Sequence, residues 1–336
     1  MIGTSNQSGR PQGTTEFSET SLAGLKLARS LVRMYSDQPE VRAVIAGGSV
    51  ARGYADKYSD VEIGVFWETP PSDAVRRDAI RRMGGEIWKF DSVIDGRATE
   101  HIGVSEAVVD SKPYRGTAMV SPIHMSVDAA EEWIGTFIDD LDTAPKKYEL
   151  AAAISYGLPL YGHDLIEGWR KRVNGFPKRL AVKLVQQNLW LGPWFKWAAS
   201  IERADHLVTA QHLVWMQQGI VNVLAALNRE YLPSVEHKWV EWLLERLEIK
   251  PADCASRLKA TFTNDDLGVA VRDLIELGME VIDLVETHLP EVDETSLFDE
   301  HPEVSTSWAR KRWALDPGYT LVANIARCEG QGRESD

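Results

Sequence analysis

The sequence has few of the features that stabilise secreted proteins or anchor proteins in membranes. It contains only two cysteines, Cys254 and Cys328, which lie far apart along the chain. Their positions suit neither a disulfide framework nor the ligand spacing of a zinc site. No apolar run approaches the roughly 20 residues that a membrane-spanning helix needs. These features predict a cytoplasmic protein that does not enter the membrane.

An excess of basic residues is also absent. Lysine and arginine number 37 against 50 aspartates and glutamates, so the formal net charge is −13. An acidic surface repels polyanions at long range and attracts cations. The composition therefore counts against an extended nucleic-acid interface, although an acidic net charge is also common in soluble cytoplasmic proteins.

The pattern of the chain predicts four segments. Residues 1–17 are polar and lack the apolar core of a signal peptide, so we interpret them as a disordered leader. Residues 18–142 mix helical patterns with short apolar runs, which indicates an α/β (α+β) domain with a small mixed sheet. Residues 143–322 have helical periodicity almost throughout and predict an all-α helical bundle. Residues 323–336 are predicted to form a polar tail.

The predicted elements determine where candidate site residues lie. In the first domain, strands are predicted at 41–46, 61–67, 87–90, 104–109 and 118–127, and helical segments at 18–35, 49–54, 72–83 and 128–141. In the second domain, helices are predicted at 147–156, 177–204, 206–229, 238–248 and 267–288. Asp128 is the predicted N-cap of the helix at 128–141, with Glu131 three residues later as in a capping box.

One run of residues combines a glycine turn with a pair of carboxylates. Gly47 and Gly48 end a predicted strand, and glycine lets the backbone turn tightly and approach a ligand. Ser49 follows at a predicted helix start, where its N–H and hydroxyl can contact a phosphate. Asp60 and Glu62 are two residues apart on the next strand, so both carboxylates point to one face. Such a pair repels unless a cation lies between them, and Mg²⁺ typically bridges carboxylates to substrate phosphates.

Taken singly, an Asp-x-Glu pair is usually solvated surface and a Gly-Gly-Ser run is usually a turn. The ordered combination is more specific, and it resembles the signature of the polymerase-β nucleotidyltransferase superfamily: Gly-Ser, a short helix with a second glycine at Gly53, then residues 59–62 as Ser-Asp-x-Glu. A looser resemblance extends to residues 227–233 with Lys238, and to residues 157–162. These are similar to the helical domain and the interdomain segment of the kanamycin and lincosamide nucleotidyltransferase group.

The resemblance implies transfer of a nucleoside monophosphate from a nucleoside triphosphate, ATP being the first candidate, to a hydroxyl of a small molecule. Pyrophosphate leaves, and Mg²⁺ neutralises the charge that develops. Asp60 and Glu62 are then catalytic and hold the metal. The residues implied to bind the nucleotide are Gly48, Ser49, Arg52, Ser59 and Lys238. The acidic charge suits an aminoglycoside-like or other cationic acceptor.

The sequence departs from the family where a third carboxylate is expected on a later strand. On the predicted strand 118–127, the corresponding position is His124. This histidine can be a metal ligand, a base for the acceptor hydroxyl or a partner that orients a carboxylate. A hydrogen-bonded structural histidine is an equal alternative. Asp128, Glu106 and Asp110 are the other candidates for the missing group.

The second half of the chain carries weaker signals. The charges of residues 202–206 favour a solvated helix face with local ion pairs, with a role for Arg203 or Asp205 facing a cleft as the alternative. Trp190, Trp194 and Trp197 follow helical spacing, which is typical of core, although aromatic rings also stack on bases and sugars.

Two rival functions stay open. Transfer to protein or RNA would call for a basic groove or a recognition module, and the sequence indicates neither. A catalytically silent nucleotide-binding regulator is favoured by the missing third carboxylate and disfavoured by the intact Gly-Ser and Asp-x-Glu.

Overall fold

The computed structural model describes residues 17–105, 117–189, 200–201, 203–234, 236–294 and 306. The chain divides into two compact units, Met1–Phe176 and Pro177–Asp336. The predicted boundary near residue 142 falls within the first unit. Most of the predicted leader, residues 1–16, and the whole predicted tail, residues 323–336, lie outside the described residues.

The first unit is a mixed α/β structure. Its strands are β1 (Val41–Ala46), β2 (Val61–Trp67), β3 (Gly85–Phe90), β4 (Arg97–Ser105), β5 (Thr117–Ser126) and β6 (Leu158–Tyr161). Its helices are α1 (Glu19–Ser36), α2 (Gly48–Arg52), α3 (Asp73–Arg82), α4 (Val127–Ile138), α5 (Pro145–Tyr156) and α6 (His163–Val173). The strands expected at 41–46 and 61–67 are confirmed with the same bounds.

All six strands form one mixed sheet in the order β3-β4-β5-β2-β1-β6. Strands β2 and β5 are parallel, and every other neighbouring pair is antiparallel. Strand β6 was not predicted, because residues 157–162 were interpreted only as an interdomain segment. It pairs with β1 and so belongs to the same sheet as the glycine turn.

The two faces of β2 have different surroundings, because side chains alternate along a strand. We call the first the α1 face, defined by Val61, Ile63, Val65 and Trp67. These four side chains are at most 2% exposed and lie in one apolar core with residues of α1 and α3. Burial of such side chains contributes roughly 1.5–3 kcal/mol each, so this core fixes which residues of β2 point away from it.

The opposite side, which we call the Glu62 face, carries Glu62, Gly64 and Phe66. At the end of β2 this face is covered by helices of the same unit: the ring of Phe66 meets that of Trp169 of α6 edge-on, with centroids 4.8 Å apart. Asp60 and Glu62 lie at the start of β2 and are partly exposed. The fold therefore places both carboxylates on the face opposite the α1 core.

Helix α4 begins closer to the N-terminus than the capping box predicted at Asp128 requires. Its N-cap is Ser126, which has an extended backbone and whose hydroxyl accepts the Ala129 N–H at 3.2 Å. The prediction that Asp128 caps this helix is therefore wrong. Asp128 lies in the first turn, where a negative charge still interacts favourably with the helix N-terminus.

The described residues of the second unit form helices and no strand. These are α7 (Lys178–Asn188), α8 (His206–Leu227), α9 (Val240–Arg246), α10 (Cys254–Thr263), α11 (Leu267–His288) and α12 (Glu291–Glu294). Helix α8 packs on α7 and α11, and α11 also packs on α10. Arg257 of α10 donates two hydrogen bonds to Glu280 of α11, at 2.9 and 2.7 Å. Among the described helices, none is both long and apolar enough to span a bilayer.

Candidate functional site

The glycine turn brings the backbone directly against the Glu62 side chain. The Gly47 N–H donates to the Glu62 carbonyl at 3.0 Å, which continues the pairing of β1 with β2. Gly48 then has φ +58°, a left-handed conformation. A Cβ at Gly48 would lie 2.7 Å from Glu62 Cδ and 2.9 Å from each carboxylate oxygen. The left-handed backbone favours glycine here, and any added Cβ would require the Glu62 carboxylate to move.

This geometry predicts the effect of Gly48→Ala. The left-handed backbone penalises a residue with a Cβ by about 1–2 kcal/mol, and the added methyl must also displace the Glu62 carboxylate. We expect a lower free energy of unfolding in urea and weaker binding of Mn²⁺. Gly168→Ala is the matched control, since a Cβ there meets no atom within 4 Å and lies within α6. That change should stabilise the protein by about 0.5–1 kcal/mol, so an equal effect of both substitutions would contradict the assigned role of Gly48.

The turn is also anchored to the start of α1. The Ser18 N–H donates to the Gly53 carbonyl at 2.9 Å, and its hydroxyl donates to the Ala55 carbonyl at 2.7 Å. The ring of Phe17 lies close enough to Gly53 that a Cβ there would be 3.2 Å from it. Gly53 has φ +93° and ends α2. Phe17 therefore packs on the motif, although it was predicted as the last residue of the leader.

Asp60 is held by a hydrogen-bonded chain that crosses two neighbouring strands. Ser121 of β5 donates its hydroxyl proton to Asp60 Oδ2 at 2.5 Å. His101 Nδ1 of β4 lies 3.0 Å from the same Ser121 oxygen. In the parallel pairing of β2 with β5, Ser121 is directly opposite Glu62. Four polar side chains thus lie on the Glu62 face: Glu62, Ser121 and His101 in one row across the strands, and Asp60 hydrogen-bonded to Ser121.

The Ser59 hydroxyl forms hydrogen bonds that stabilise the loop preceding β2. It donates to Asp56 Oδ1 and accepts the Asp56 N–H, both at 3.0 Å. Tyr58 N–H also donates to Asp56 Oδ1, at 2.9 Å. These contacts fix the approach of the chain to Asp60, so in this structure Ser59 supports the loop rather than presenting its hydroxyl to a ligand.

The other residues implied to bind the nucleotide lie in different places. The Arg52 guanidinium lies over the Tyr156 ring, 3.9 Å from its centroid, which ties α2 to α5. Lys238 belongs to the second unit and forms a 2.7 Å ion pair with Glu236. That pair is exposed, and the hydrogen bond from Lys238 lowers the pKa of Glu236. Helix α2 has only five residues, so the predicted help from a helix N-terminus is small.

His124 lies on the face opposite the two carboxylates. It pairs with Val65 of β2 and therefore points into the α1 face. The Trp67 indole N–H donates to His124 Nδ1 at 3.1 Å, and His124 Nε2 lies 3.4 Å from Glu100 Oε1. His124 is 1% exposed. The prediction that His124 lies beside the carboxylates is wrong, and the alternative of a hydrogen-bonded structural histidine fits.

The other candidates for the third carboxylate do not complete the site within the described residues. Asp128 follows the far end of β5, where Ser126 pairs with Trp67. At ~3.3 Å per residue, five residues of strand place that end roughly 17 Å from the level of Ser121. Glu106 and Asp110 lie outside the described residues. Among the residues that are described, no three histidine, cysteine, aspartate or glutamate side chains form a group suited to a metal ion.

Charged residues at the start of α8 have local structural roles. Asp205 caps the helix by accepting the Val208 N–H at 3.4 Å. Arg203 and His206 are exposed beside it. This fits the solvated face that the sequence favoured. Glu202 and the three tryptophans Trp190, Trp194 and Trp197 lie outside the described residues.

Ser121 and His101 were missed from the sequence. Ser121 lies on the same predicted strand as His124, 118–127, but a lone serine in a strand carries no chemical signal. His101 lies in a part of β4 that was not predicted as strand. Two registers identify them: that of β5 against β2 aligns Ser121 with Glu62, and that of β4 against β5 places His101 opposite Ser121.

Comparison with known proteins adds no assignment, since no protein-family model and no curated protein sequence matches the chain. Asp60 and Glu62 supply hard oxygen donors on one face, and the Glu62 carboxylate lies against the glycine turn. This donor set suits Mg²⁺, which usually completes its shell with water and substrate phosphates.

Proposed function

We propose that the protein is a Mg²⁺-dependent nucleotidyltransferase that moves a nucleoside monophosphate from a nucleoside triphosphate to a hydroxyl of a small molecule. The observation that carries the proposal is the position of Glu62 and Asp60 on one face, with the Glu62 carboxylate packed against the Gly48 turn. The resemblance of this run to the polymerase-β superfamily supports the reaction class. ATP is the first candidate for the nucleotide.

In this proposal Asp60 and Glu62 hold the metal, and the metal supplies charge neutralisation at the transferring phosphoryl group. The left-handed Gly48 lets the phosphates approach the backbone closely. The Ser49 hydroxyl and backbone N–H bind a phosphate oxygen. The Asp56 loop positions Asp60. The chain thus contributes mainly positioning, which is the principal demand of phosphoryl transfer.

The partners of the reaction are part of the same proposal. We assign the helical second unit the role of a separate domain that contacts nucleotide or acceptor, with Lys238 as a candidate contact. A net charge of −13 favours a cationic acceptor of the aminoglycoside type. The reaction is proposed to take place in the cytoplasm, where nucleoside triphosphates are available.

The test is incubation of the purified full chain with Mg²⁺, each α-³²P-labelled nucleoside triphosphate and a panel of acceptors. The panel contains aminoglycosides, neutral sugars, an RNA and a protein. We expect label on a small cationic acceptor, with equimolar pyrophosphate released. Label on RNA or protein would overturn the acceptor class, and binding of nucleotide without any transfer would overturn the enzyme assignment.

A specific observation favours one second candidate. Ser121, a neutral residue, stands opposite Glu62 on the strand where the family is expected to carry its third carboxylate. A catalytically silent nucleotide-binding regulator would tolerate this replacement. The same incubation separates the two functions, because a regulator binds the nucleotide and releases no pyrophosphate.

The role assigned to Ser49 predicts a measurable loss. Ser49→Ala removes one hydrogen bond to a charged phosphate, worth about 1.5–3 kcal/mol. The dissociation constant for the nucleotide should therefore rise about 10- to 150-fold by calorimetric titration. Ser30→Ala on α1 is the matched control, because the Ser30 hydroxyl is exposed and donates to the Leu27 carbonyl. Equal nucleotide affinity in both variants would reduce Ser49 to a turn residue.

A further inference from the structure

The direction of the hydrogen bonds around Ser121 defines a relay towards Asp60. A serine hydroxyl has one proton, and Ser121 donates it to Asp60 Oδ2 at 2.5 Å. The Ser121 oxygen can then only accept from His101 Nδ1, 3.0 Å away. The His101 ring therefore carries a proton on Nδ1. Both hydrogen bonds point towards Asp60, and both belong to strands of the same sheet.

Burial makes this relay rigid. Ser121 is 3% exposed, and its backbone lies between β2 and β4 in the sheet. His101 lies on β4, where the pairing of Thr99 with Ile123 and of Ile102 with Val120 places it opposite Ser121. A hydroxyl held between two partners has one favoured rotamer, so the sheet fixes the direction from which Ser121 donates to Asp60 Oδ2.

The site offers two carboxylates to a cation. Asp60 and Glu62 are both anionic, and the Asp60 oxygen that accepts the Ser121 proton keeps a second lone pair. Ser121 itself is neutral, so the site carries two negative charges. Two carboxylates balance one divalent ion, and Mg²⁺ completes its shell with water and phosphate oxygens.

We propose that Ser121 and His101 are positioning residues that orient Asp60 for a single divalent cation, in place of a third carboxylate that would hold a second one. The inference rests on the proposed function for the identity of the metal site. It goes beyond that function by assigning roles to two residues that contact neither the metal nor the substrate. Partners that orient a ligand in this way typically change metal affinity 10- to 100-fold when removed.

The test counts and titrates Mn²⁺ by electron paramagnetic resonance, on the full chain with a non-hydrolysable ATP analogue. The wild type should bind one Mn²⁺ per chain. Ser121→Ala and His101→Ala should each weaken binding about 10- to 100-fold. Because the two residues act in series, the double variant should be no weaker than the worse single variant. A residue with only a bulk structural role would not produce this non-additivity.

Two further variants test the number of bound ions and provide a control. Ser121→Asp adds a carboxylate beside Asp60 and should raise the count to two Mn²⁺ per chain. Thr99→Ala is the matched control, because Thr99 lies on β4 and on the same face as His101, two residues away. Its Mn²⁺ affinity should equal that of the wild type. Circular dichroism checks folding, and if Ser121→Asp does not fold, the double-variant measurement decides.

The outcomes separate this inference from the proposed function. Two Mn²⁺ in the wild type, unchanged affinity in both alanine variants, or additive losses would each overturn the positioning role, even if label transfer is observed. Failure of the wild type to bind Mn²⁺ would overturn both proposals together, whereas Mn²⁺ binding without label transfer would overturn only the enzyme assignment.

Discussion

Asp60→Asn should abolish metal-dependent nucleotidyl transfer while the protein remains folded. The substitution removes a negative charge from a site whose proposed task is to bind a divalent cation, and an amide is a weaker ligand for Mg²⁺ than a carboxylate. A bound metal supplies several kcal/mol of charge stabilisation. Its loss corresponds to a fall in kcat/KM of about 10³-fold or more. Glu62→Gln should cause a similar fall in kcat/KM, because Glu62 is the other proposed metal ligand.

Folding should survive both substitutions because neither carboxylate belongs to the α1 core. Amide side chains have nearly the same shape as the acids, and the amide oxygen introduced by Asp60→Asn could still accept the Ser121 proton. The measurements are label transfer at saturating Mg²⁺ and the free energy of unfolding in urea. Removing the repulsion between two adjacent carboxylates should leave stability unchanged or slightly higher in the absence of metal.

Glu68→Gln is the matched control for these variants. Glu68 directly follows β2, and its carboxylate forms an exposed 3.0 Å ion pair with Arg42. It should retain full activity, because it lies beyond the opposite end of the strand from Asp60. Full activity of Asp60→Asn or Glu62→Gln would contradict the metal assignment.

The sequence predicted the local structure of the site well. Strands β1 and β2 and helix α11 have the predicted bounds, and the glycine turn and short helix follow the predicted order. These signals are short-range. The apolar run 41–46 ends at Gly47 and Gly48, and the carboxylates Asp60 and Glu62 are two residues apart. Each depends on residues within one element and its immediate neighbours, which is the information that a single sequence carries most directly.

The prediction for His124 failed because register is a property of two strands. A shift of one residue moves a side chain to the other face of a sheet. Nothing within residues 118–127 shows whether Ser121 or His124 shares a face with Glu62. The pairing of Glu62 with Ser121 decides it, and that pairing joins residues 59 positions apart. His124 was predicted because histidine can bind a metal or act as a base, whereas Ser121 is the residue that pairs with Glu62.

The start of β4 and all of β6 were missed for related reasons. Residues 97–101 include Arg97, Thr99 and Glu100, a polar run that reads as a surface loop. Glu100 is fully buried because Arg76 reaches it from α3. Strand β6 contains Pro159, which suits an edge strand but weakens a strand signal. In both cases a distant partner determines the local structure.

Glu100→Ala should cause the largest loss of stability among the substitutions considered. Glu100 and Arg76 are both 0% exposed, and Arg76 Nη1 lies 3.1 Å from Glu100 Oε1. Removing one partner of a buried ion pair leaves the other charge uncompensated and typically reduces the free energy of unfolding by about 3–5 kcal/mol. The remaining contacts of Arg76 include a 2.8 Å bond to the exposed Asp73 and a position over the Phe90 ring.

The side chains around the Arg76–Glu100 ion pair explain why the negative charge of Glu100 is difficult to replace. His124 Nε2 lies 3.4 Å from Glu100 Oε1, and the Tyr35 ring meets His124 edge-on. Burial raises the pKa of Tyr35 well above its usual value, and the negative charge of Glu100 adds to this effect. Water is therefore not a ready substitute for the lost carboxylate.

Three comparisons test the explanation by urea denaturation. Glu100→Gln keeps an acceptor for Arg76 and should lose less stability than Glu100→Ala. A double change, Arg76→Met with Glu100→Leu, removes both charges and should recover much of the loss. Glu68→Ala breaks the exposed pair with Arg42, so it should lose no more than about 1 kcal/mol. A loss of similar size in Glu68→Ala and Glu100→Ala would show that burial of the pair is not the cause.

The same variants separate stability from chemistry, because Glu100 and His101 are neighbours that point to opposite faces of β4. Glu100 ties the strand to α3 on the α1 face, whereas His101 contacts Ser121 on the Glu62 face. Glu100→Gln should therefore lower the free energy of unfolding and leave Mn²⁺ affinity unchanged at temperatures where the protein is folded. His101→Ala should show the reverse pattern. If Glu100→Gln weakened Mn²⁺ binding as strongly as His101→Ala does, the ion pair would be setting the geometry of the metal site through β4, and the two faces could not be treated as independent.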